Sequence, residues 1–132
     1  MIVVDASALV DGLLDVAPYA DQVRDQISSH EGDVHVPHLV DAEVGHVLRR
    51  ELLARRLRLD RAERAIERLR ELPMTRYPHV LFLSRAMQLH RNLTVYDGLY
   101  VALAEALMAP LLTRDAGIAR SAGRFIEVIH VR

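Results

Sequence analysis

Asp5, Glu43, Asp97 and Asp115 are four carboxylic acids spread over more than a hundred residues, and each stands where the chain can deliver it to one common crevice. Two unit charges about 4 Å apart repel by roughly 4 kcal/mol at an effective dielectric near 20, so a cluster of acids needs compensation. Protonation of one member or a bound divalent cation supplies it. Ligands that are all oxygen, with no cysteine or histidine required, suit Mg²⁺ or Mn²⁺ rather than zinc. An ion held in this way lowers the pKa of a bound water and neutralises charge on a phosphodiester in transit, which is the chemistry of metal-assisted hydrolysis.

The elements that must carry these acids follow from the hydrophobic pattern. Short apolar runs predict strands at Ile2 to Val4, Val34 to Val36, Met74 to Tyr77, Leu111 to Thr113 and Phe125 to Val131. Helical periodicity fills the intervals: Ala6 to Leu14, Pro18 to Ser28, Leu39 to Arg56, Asp60 to Leu72, Val80 to His90, Val95 to Met108, and a short helix after Asp115. Pro18 suits a first helical turn, and Pro37, Pro73, Pro78 and Pro110 fall at junctions. Alternating strands and helices predict an α/β fold with a mainly parallel sheet. In such a sheet the ligand crevice lies outside the carboxyl ends of the strands. Asp5 follows the first strand directly, and Asp115 follows the Leu111 strand after one residue. Glu43 and Asp97 fall near the starts of helices that begin at that same edge.

Each acid also has a purely structural reading. Asp5 and Asp115 suit N-caps, Thr94 to Asp97 reads as a capping box with aspartate in place of glutamate, and Glu43 sits at the margin of its helix's apolar arc. Two rival acids share that helix. Asp41 points away from Glu43, and Glu51 has Arg55 one turn on, so both read as solvated or paired.

Composition removes whole classes of function. The 132 residues, half of them hydrophobic, suffice for one domain with a core. A net charge of -1 gives no global field toward nucleic acid or anionic membrane. There is no cysteine, hence no thiolate nucleophile, disulfide or cysteine zinc site. There is no lysine either, all 17 basic residues being arginine. That excludes P-loop and Schiff-base chemistry, and with them receiver domains and aspartyl-phosphate phosphatases, which hold the phosphoryl group with lysine. Asp5-Ala6-Ser7-Ala8 stands where a dinucleotide-binding domain needs its glycine-rich turn. No stretch approaches a membrane span and the start has no leader pattern, so a cytoplasmic protein is expected.

Four blocks carry a family resemblance: Ile2 to Leu9, Pro37 to Val44, Leu93 to Ala104, and Leu112 to Asp115. Together, in this order and spacing, they resemble the motifs of PIN-domain ribonucleases, specifically VapC-type toxins, and the resemblance covers essentially the whole chain. It implies a three-layer α/β sandwich with a central, mainly parallel five-stranded sheet, Mg²⁺- or Mn²⁺-dependent RNA cleavage, inhibition by a small VapB-type antitoxin, and a homodimer. Asp5, Glu43, Asp97 and Asp115 match the family's acidic positions, and Ser7 and Thr113 match hydroxyl positions beside them. Gly98 departs from the alanine more usual after that aspartate, at a small cost in helix propensity.

Between Arg49 and Arg70 nine arginines face four acids. Arg49, Arg50, Arg55, Arg56 and Arg58 are the candidate contacts to RNA or a partner, whereas Asp60 to Glu71 is equally well read as a solvated helix laced with Arg/Glu pairs. Aromatics are too few for base stacking to dominate affinity. The seven histidines form no metal-binding pair, and surface or structural roles are expected of them, with His35 and His38 near a strand end. Two other functions fit the same residues: a catalytically silent PIN-like protein-binding module, and a DNA-directed nuclease.

Overall fold

In the computed structural model, which describes residues 1–132, five strands form one sheet. They are β1 (Ile2–Val4), β2 (Val34–Pro37), β3 (Met74–Tyr77), β4 (Leu111–Thr113) and β5 (Val128–His130), in the order β3-β2-β1-β4-β5. Every pairing is parallel. β1 lies in the centre, and its three residues are fully buried, as a strand covered on both faces requires. Between β1 and β2 run α1 (Ala6–Leu13) and α2 (Tyr19–Ser29), and between β2 and β3 run α3 (Leu39–Leu53) and α4 (Leu59–Glu71). A 3₁₀ turn over His79–Phe82, α5 (Leu83–Gln88) and α6 (Val95–Leu107) lead back to β4, and α7 (Ala116–Ala122) leads to β5. Crossovers between parallel strands are right-handed as a rule; with α1 packed on α2, α3 and α4, and α5 packed on α6, the helices cover both faces of the sheet, the three-layer α/β arrangement that the resemblance implies. The chain order reverses beside β1, so the switch point, where α/β sheets open a crevice, lies between the ends of β1 and β4.

Helix α1 is the element on which the site rests, and both of its ends are fixed. Asp5 caps its start by accepting from the Ala8 N–H at 3.0 Å. Its last carbonyls receive three arginines from neighbouring helices. Arg24 donates to Gly12 O at 3.1 Å, Arg68 to Leu13 O at 2.7 Å and Arg61 to Leu14 O at 2.6 Å. Cations at a helix C-terminus also offset its dipole. Asp15, just past the helix end in the left-handed region at φ 55°, pairs with both Arg24 and Arg68. The arginines of α4 are therefore not merely a solvated face. Ala62, Ala65 and Leu69 bury the opposite side of the same helix.

Several predicted boundaries shift for identifiable reasons. Helix α3 ends at Leu53 rather than Arg56, because Arg55 turns left-handed at φ 59° and the Arg56 N–H bonds back to Glu51 O at 3.0 Å. This closes a Schellman motif without the glycine that usually marks one. Glu51 consequently pairs with Arg56, at 2.7 and 3.1 Å, and not with Arg55. Strand β5 is three residues long because Phe125 and Ile126 donate to Ala122 O and are lost to the ladder. The helix expected over Val80 to His90 divides into the 3₁₀ turn and α5. Pro18 occupies the N-cap of α2, one place before its first turn. Gly98 has a packing reason: a Cβ there would lie 3.1 Å from Ala86 Cβ and 3.3 Å from its Cα, so the missing methyl is what brings α5 against α6. No helix is long and apolar enough to cross a membrane.

Removing an arginine from the α1 C-terminus leaves a carbonyl without its charged donor. Arg68→Ala is expected to lower unfolding free energy by about 1 to 2 kcal/mol. Arg64→Ala, on the same helix but paired only loosely with Asp60 at 3.7 Å, should stay within about 0.5 kcal/mol of the parent. Chemical denaturation of the two variants checks the contrast.

Candidate active site

A cleft of about 1050 Å³ opens at the switch point, and Asp5, Glu43, Asp97 and Asp115 all line it. Four elements supply them. Asp5 stands between β1 and α1, Glu43 sits one turn into α3, Asp97 lies in the first turn of α6, and Asp115 caps α7 by accepting from the Ile118 N–H at 3.0 Å. Asp5 and Asp115 thus cap helices and line the same cleft at once. In each, a single carboxylate oxygen accepts the helix N–H.

Asp5 is the buried anchor, with 3% of its surface exposed. Its Oδ1 accepts from Ser7 Oγ at 2.6 Å and from the Ala8 N–H, while its Oδ2 accepts from Thr113 Oγ1. Neither hydroxyl is free to turn away. Ser7 Oγ accepts from the Arg114 N–H at 3.1 Å and Thr113 Oγ1 from the Asp115 N–H at 3.0 Å, so the proton of each is committed to Asp5. Even so, burial pushes the Asp5 carboxyl up to about 6, against those three hydrogen bonds, and the Asp115 charge pushes the same way.

The other members respond to burial as well. Desolvation raises Asp97, the Thr94 hydroxyl pulls it back, and the charge of Asp115 raises it further. Thr94 caps α6 by accepting from the Asp97 main-chain N–H at 3.2 Å, so that half of the expected capping box uses the backbone of Asp97, not its carboxylate. Desolvation also raises Glu43; Tyr100 and His46 oppose it and Asp97 reinforces it. Asp5, Asp97, Asp115 and Glu43 therefore sense one another in a chain of like charges.

Sequence reasoning missed several residues of the cleft. Tyr100 is buried and donates its hydroxyl to Glu43 Oε1 at 2.6 Å, tying α6 to α3; one turn after Asp97 on the same helix, it carried a positional signal. His46 lines the cleft one turn beyond Glu43. Asp11 and Arg114 line it too, joined by Nη1 contacts of 3.0 and 3.1 Å. Among the five candidate arginines only Arg50 lines the cleft. Arg56 is paired with Glu51 and Arg58 with Asp60, while Arg49 and Arg55 are exposed. Asp41 is drawn off by Arg76, which grips it at 2.8 and 3.0 Å. His35 is structural, held between Asp33 at 2.8 Å and Tyr77 at 2.7 Å, and His38 is exposed.

The donor set suits a hard divalent cation. Glu43 Oε2 and Asp115 Oδ2 accept no hydrogen bond from the protein, leaving oxygen lone pairs unspent in the cleft. No three of the acids are drawn together tightly enough to make a ready-made cage.

Comparison with known proteins places this geometry among relatives. The PIN domain family matches residues 2–124. Ribonuclease VapC1 of Mycobacterium tuberculosis is 43% identical over 131 residues, covering 98% of this chain and 97% of that protein. VapC ribonuclease Mb0985 of Mycobacterium bovis is 47% identical over 117 residues, covering 87% of this chain and 86% of that protein. The crystal structure of PAE2754 from Pyrobaculum aerophilum superposes with a TM-score of 0.64 at 26% identity, covering 96% of this chain and 81% of that one.

The raised Asp5 pKa has a stability consequence whose sign is fixed. A carboxyl at 3.8 in the unfolded chain and about 6 in the folded one favours folding in its neutral form. That contribution is complete below pH 4 and is lost as pH rises through 6, by roughly 3 kcal/mol in all. In metal-free protein, Asp5→Asn should therefore gain stability relative to the parent between pH 4 and pH 7.5. Urea unfolding of both proteins across that range measures it, and a pH-independent difference would contradict the assignment.

Proposed function

The chain belongs to the PIN-domain family, and from that premise we propose that it is a metal-dependent endoribonuclease, the toxin of a VapBC-type toxin-antitoxin pair. The observation that supports this most is the convergence of Asp5, Glu43, Asp97 and Asp115 on one cleft. Burial raises the Asp5, Glu43 and Asp97 carboxyls, and a bound cation would offset both that desolvation and their mutual repulsion.

The residues divide the work by their surroundings. Asp5, locked by Ser7, Thr113 and the Ala8 N–H, is the fixed ligand about which the others are placed. Asp97 and Asp115, one half-buried and one exposed, complete the oxygen set. Glu43, with one oxygen held by Tyr100 and the other free, is positioned to accept a proton from the attacking water or to bind the ion through water. A bound Mg²⁺ or Mn²⁺ supplies Lewis acidity to the phosphoryl oxygen and acidifies the water. Single-stranded loops in structured RNA fit a crevice that is open along the groove between α1 and α3.

The partner proposals rest on family membership and on exposed apolar side chains. Leu53 and Leu59 are 67% and 63% exposed at the junction of α3 and α4, apolar surface that a VapB-type antitoxin or a second copy of the chain in a homodimer covers.

The decisive variant is Asp97→Ala, because its structural and functional roles now separate. The α6 cap uses the main-chain N–H of residue 97, so the alanine variant keeps it. Metal-free Asp97→Ala is expected to be at least as stable as the parent, since a buried like charge is removed. Its stabilisation by excess Mn²⁺, about 2.7 kcal/mol for the parent at a hundredfold excess over Kd, should shrink. RNA cleavage should fall by at least a hundredfold, and EDTA should abolish it in the parent. Thermal unfolding with EDTA and with Mn²⁺, beside an RNA cleavage assay and a matched DNA substrate, tests all of these. A parent that cuts RNA in EDTA, or cuts neither substrate with metal, would overturn the proposal.

A further inference from the structure

A phosphodiester entering a cleft lined by four acids is repelled along its whole length, except where an ion or a fixed cation meets it. Two arginines line the cleft, Arg50 and Arg114. Arg50 stands two turns along α3 from Glu43, with no ion-pair partner to hold it. Arg114 lies in the turn between β4 and α7, between Thr113 and Asp115, and both its backbone and its guanidinium are held by neighbours. Its main-chain N–H is bound to Ser7 Oγ. Its Nη1 grips both oxygens of Asp11 at 3.0 and 3.1 Å, and its guanidinium carbon lies 3.7 Å over the Tyr19 ring. The Asp11 side chain is 6% exposed while that of Arg114 is 39% exposed.

This pairing is costly if its only purpose is to fill space. Burial raises the Asp11 carboxyl, with Arg114 alone pulling it back, and an apolar residue facing the cleft from α1 would pack there without a desolvation penalty. What the pair achieves is a guanidinium that keeps its charge at the acidic end of the cleft while its Nε and Nη2 donors have no protein acceptor. A planar fork with unspent N–H groups and little rotamer entropy left to lose is suited to bidentate capture of phosphate oxygens.

We propose that Arg114 is the phosphate anchor of this cleft, binding the non-bridging oxygens of an RNA phosphodiester beside the acidic cluster, with Asp11 and Tyr19 as the residues that position it. The inference rests on the nuclease reading above and adds to it the residue that seats the strand. Asp11 lies six residues after Asp5, on the same helix, so the cation and the acids share one rigid support.

The test uses cleavage of a single-stranded RNA oligonucleotide with Mn²⁺, across a range of salt, by the parent and three variants. Arg114→Gln is expected to raise KM at least tenfold with a smaller change in kcat. It should also reduce the slope of log kcat/KM against log salt by about 0.7, the contribution of one single-strand phosphate contact. Asp11→Asn, which keeps the cation but loosens it, should raise KM less and leave the salt slope intact. The double variant Asp11→Asn/Arg114→Gln carries no unpaired buried charge, so it guards against misfolding and should match Arg114→Gln in KM and slope. A folded double variant with the parent's KM and salt slope overturns the proposal and leaves the pair a feature of the fold. Anisotropy of the labelled oligonucleotide with each protein gives the same slope in binding. If the parent binds but does not cut, the nuclease reading fails while the binding slope still decides the role of Arg114.

Discussion

Burying a carboxylate at the end of a central strand is the constraint around which this molecule is organised. Asp5 follows a strand with no exposed residue, and an unpaired charge there would be prohibitive. Three donors meet it: a hydroxyl from the first turn of α1, the main-chain N–H of Ala8, and a hydroxyl from the last residue of β4. Those donors set the relation of β1, α1 and β4 to one another. The main-chain N–H groups of Arg114 and Asp115 then orient the two hydroxyls, which fixes the β4–α7 turn as well. Satisfying one acid positions the turn that carries the next.

The far end of α1 shows the same economy of means. Three arginines and Asp15 secure its last carbonyls to α2 and α4, so the helix that carries Asp5 at its start and Asp11 in its middle is held over its whole length. Charge excess in the Arg49 to Arg70 segment is thereby divided among three tasks. Arg61 and Arg68 brace the scaffold, Arg56 and Arg58 are spent in local pairs, and Arg50 alone reaches the cleft.

What the sequence made legible was whatever is local or periodic. Strands β1 to β4, the order of helices and strands, and the carboxyl-edge placement of the four acids follow from apolar periodicity and the topology of parallel sheets. One helix end was harder: α3 closes on Arg55 in the left-handed region without the glycine that announces such a turn, so its expected end at Arg56 fell three residues late. Partnerships at long range were not legible at all. Nothing local in Tyr100 points to Glu43, 57 residues away, or in Arg114 to Asp11, 103 residues away. Both pairs arise only when α1, α3, α6 and the β4–α7 turn meet at the switch point. Glu51 illustrates the middle case: an i, i+4 rule chose Arg55, but the helix ended first and handed the contact to Arg56.

Asp5 and Asp115 cap helices and line the cleft at once, and that has a physical consequence for how such a site persists. A carboxylate with no structural task could be lost from an acidic cleft with a gain in stability, since its removal relieves repulsion. Asp5 and Asp115 each hold a helix N-terminus, so replacing either by an apolar residue sacrifices a cap worth about 1 kcal/mol while relieving the charge. Asp97 lacks that counterweight, since the α6 cap needs only its backbone, whereas losing Glu43 would leave the buried Tyr100 hydroxyl without its acceptor. The cleft thus combines three acids whose side chains hold a helix end or a buried hydroxyl with one, Asp97, whose carboxylate the helix cap does not use.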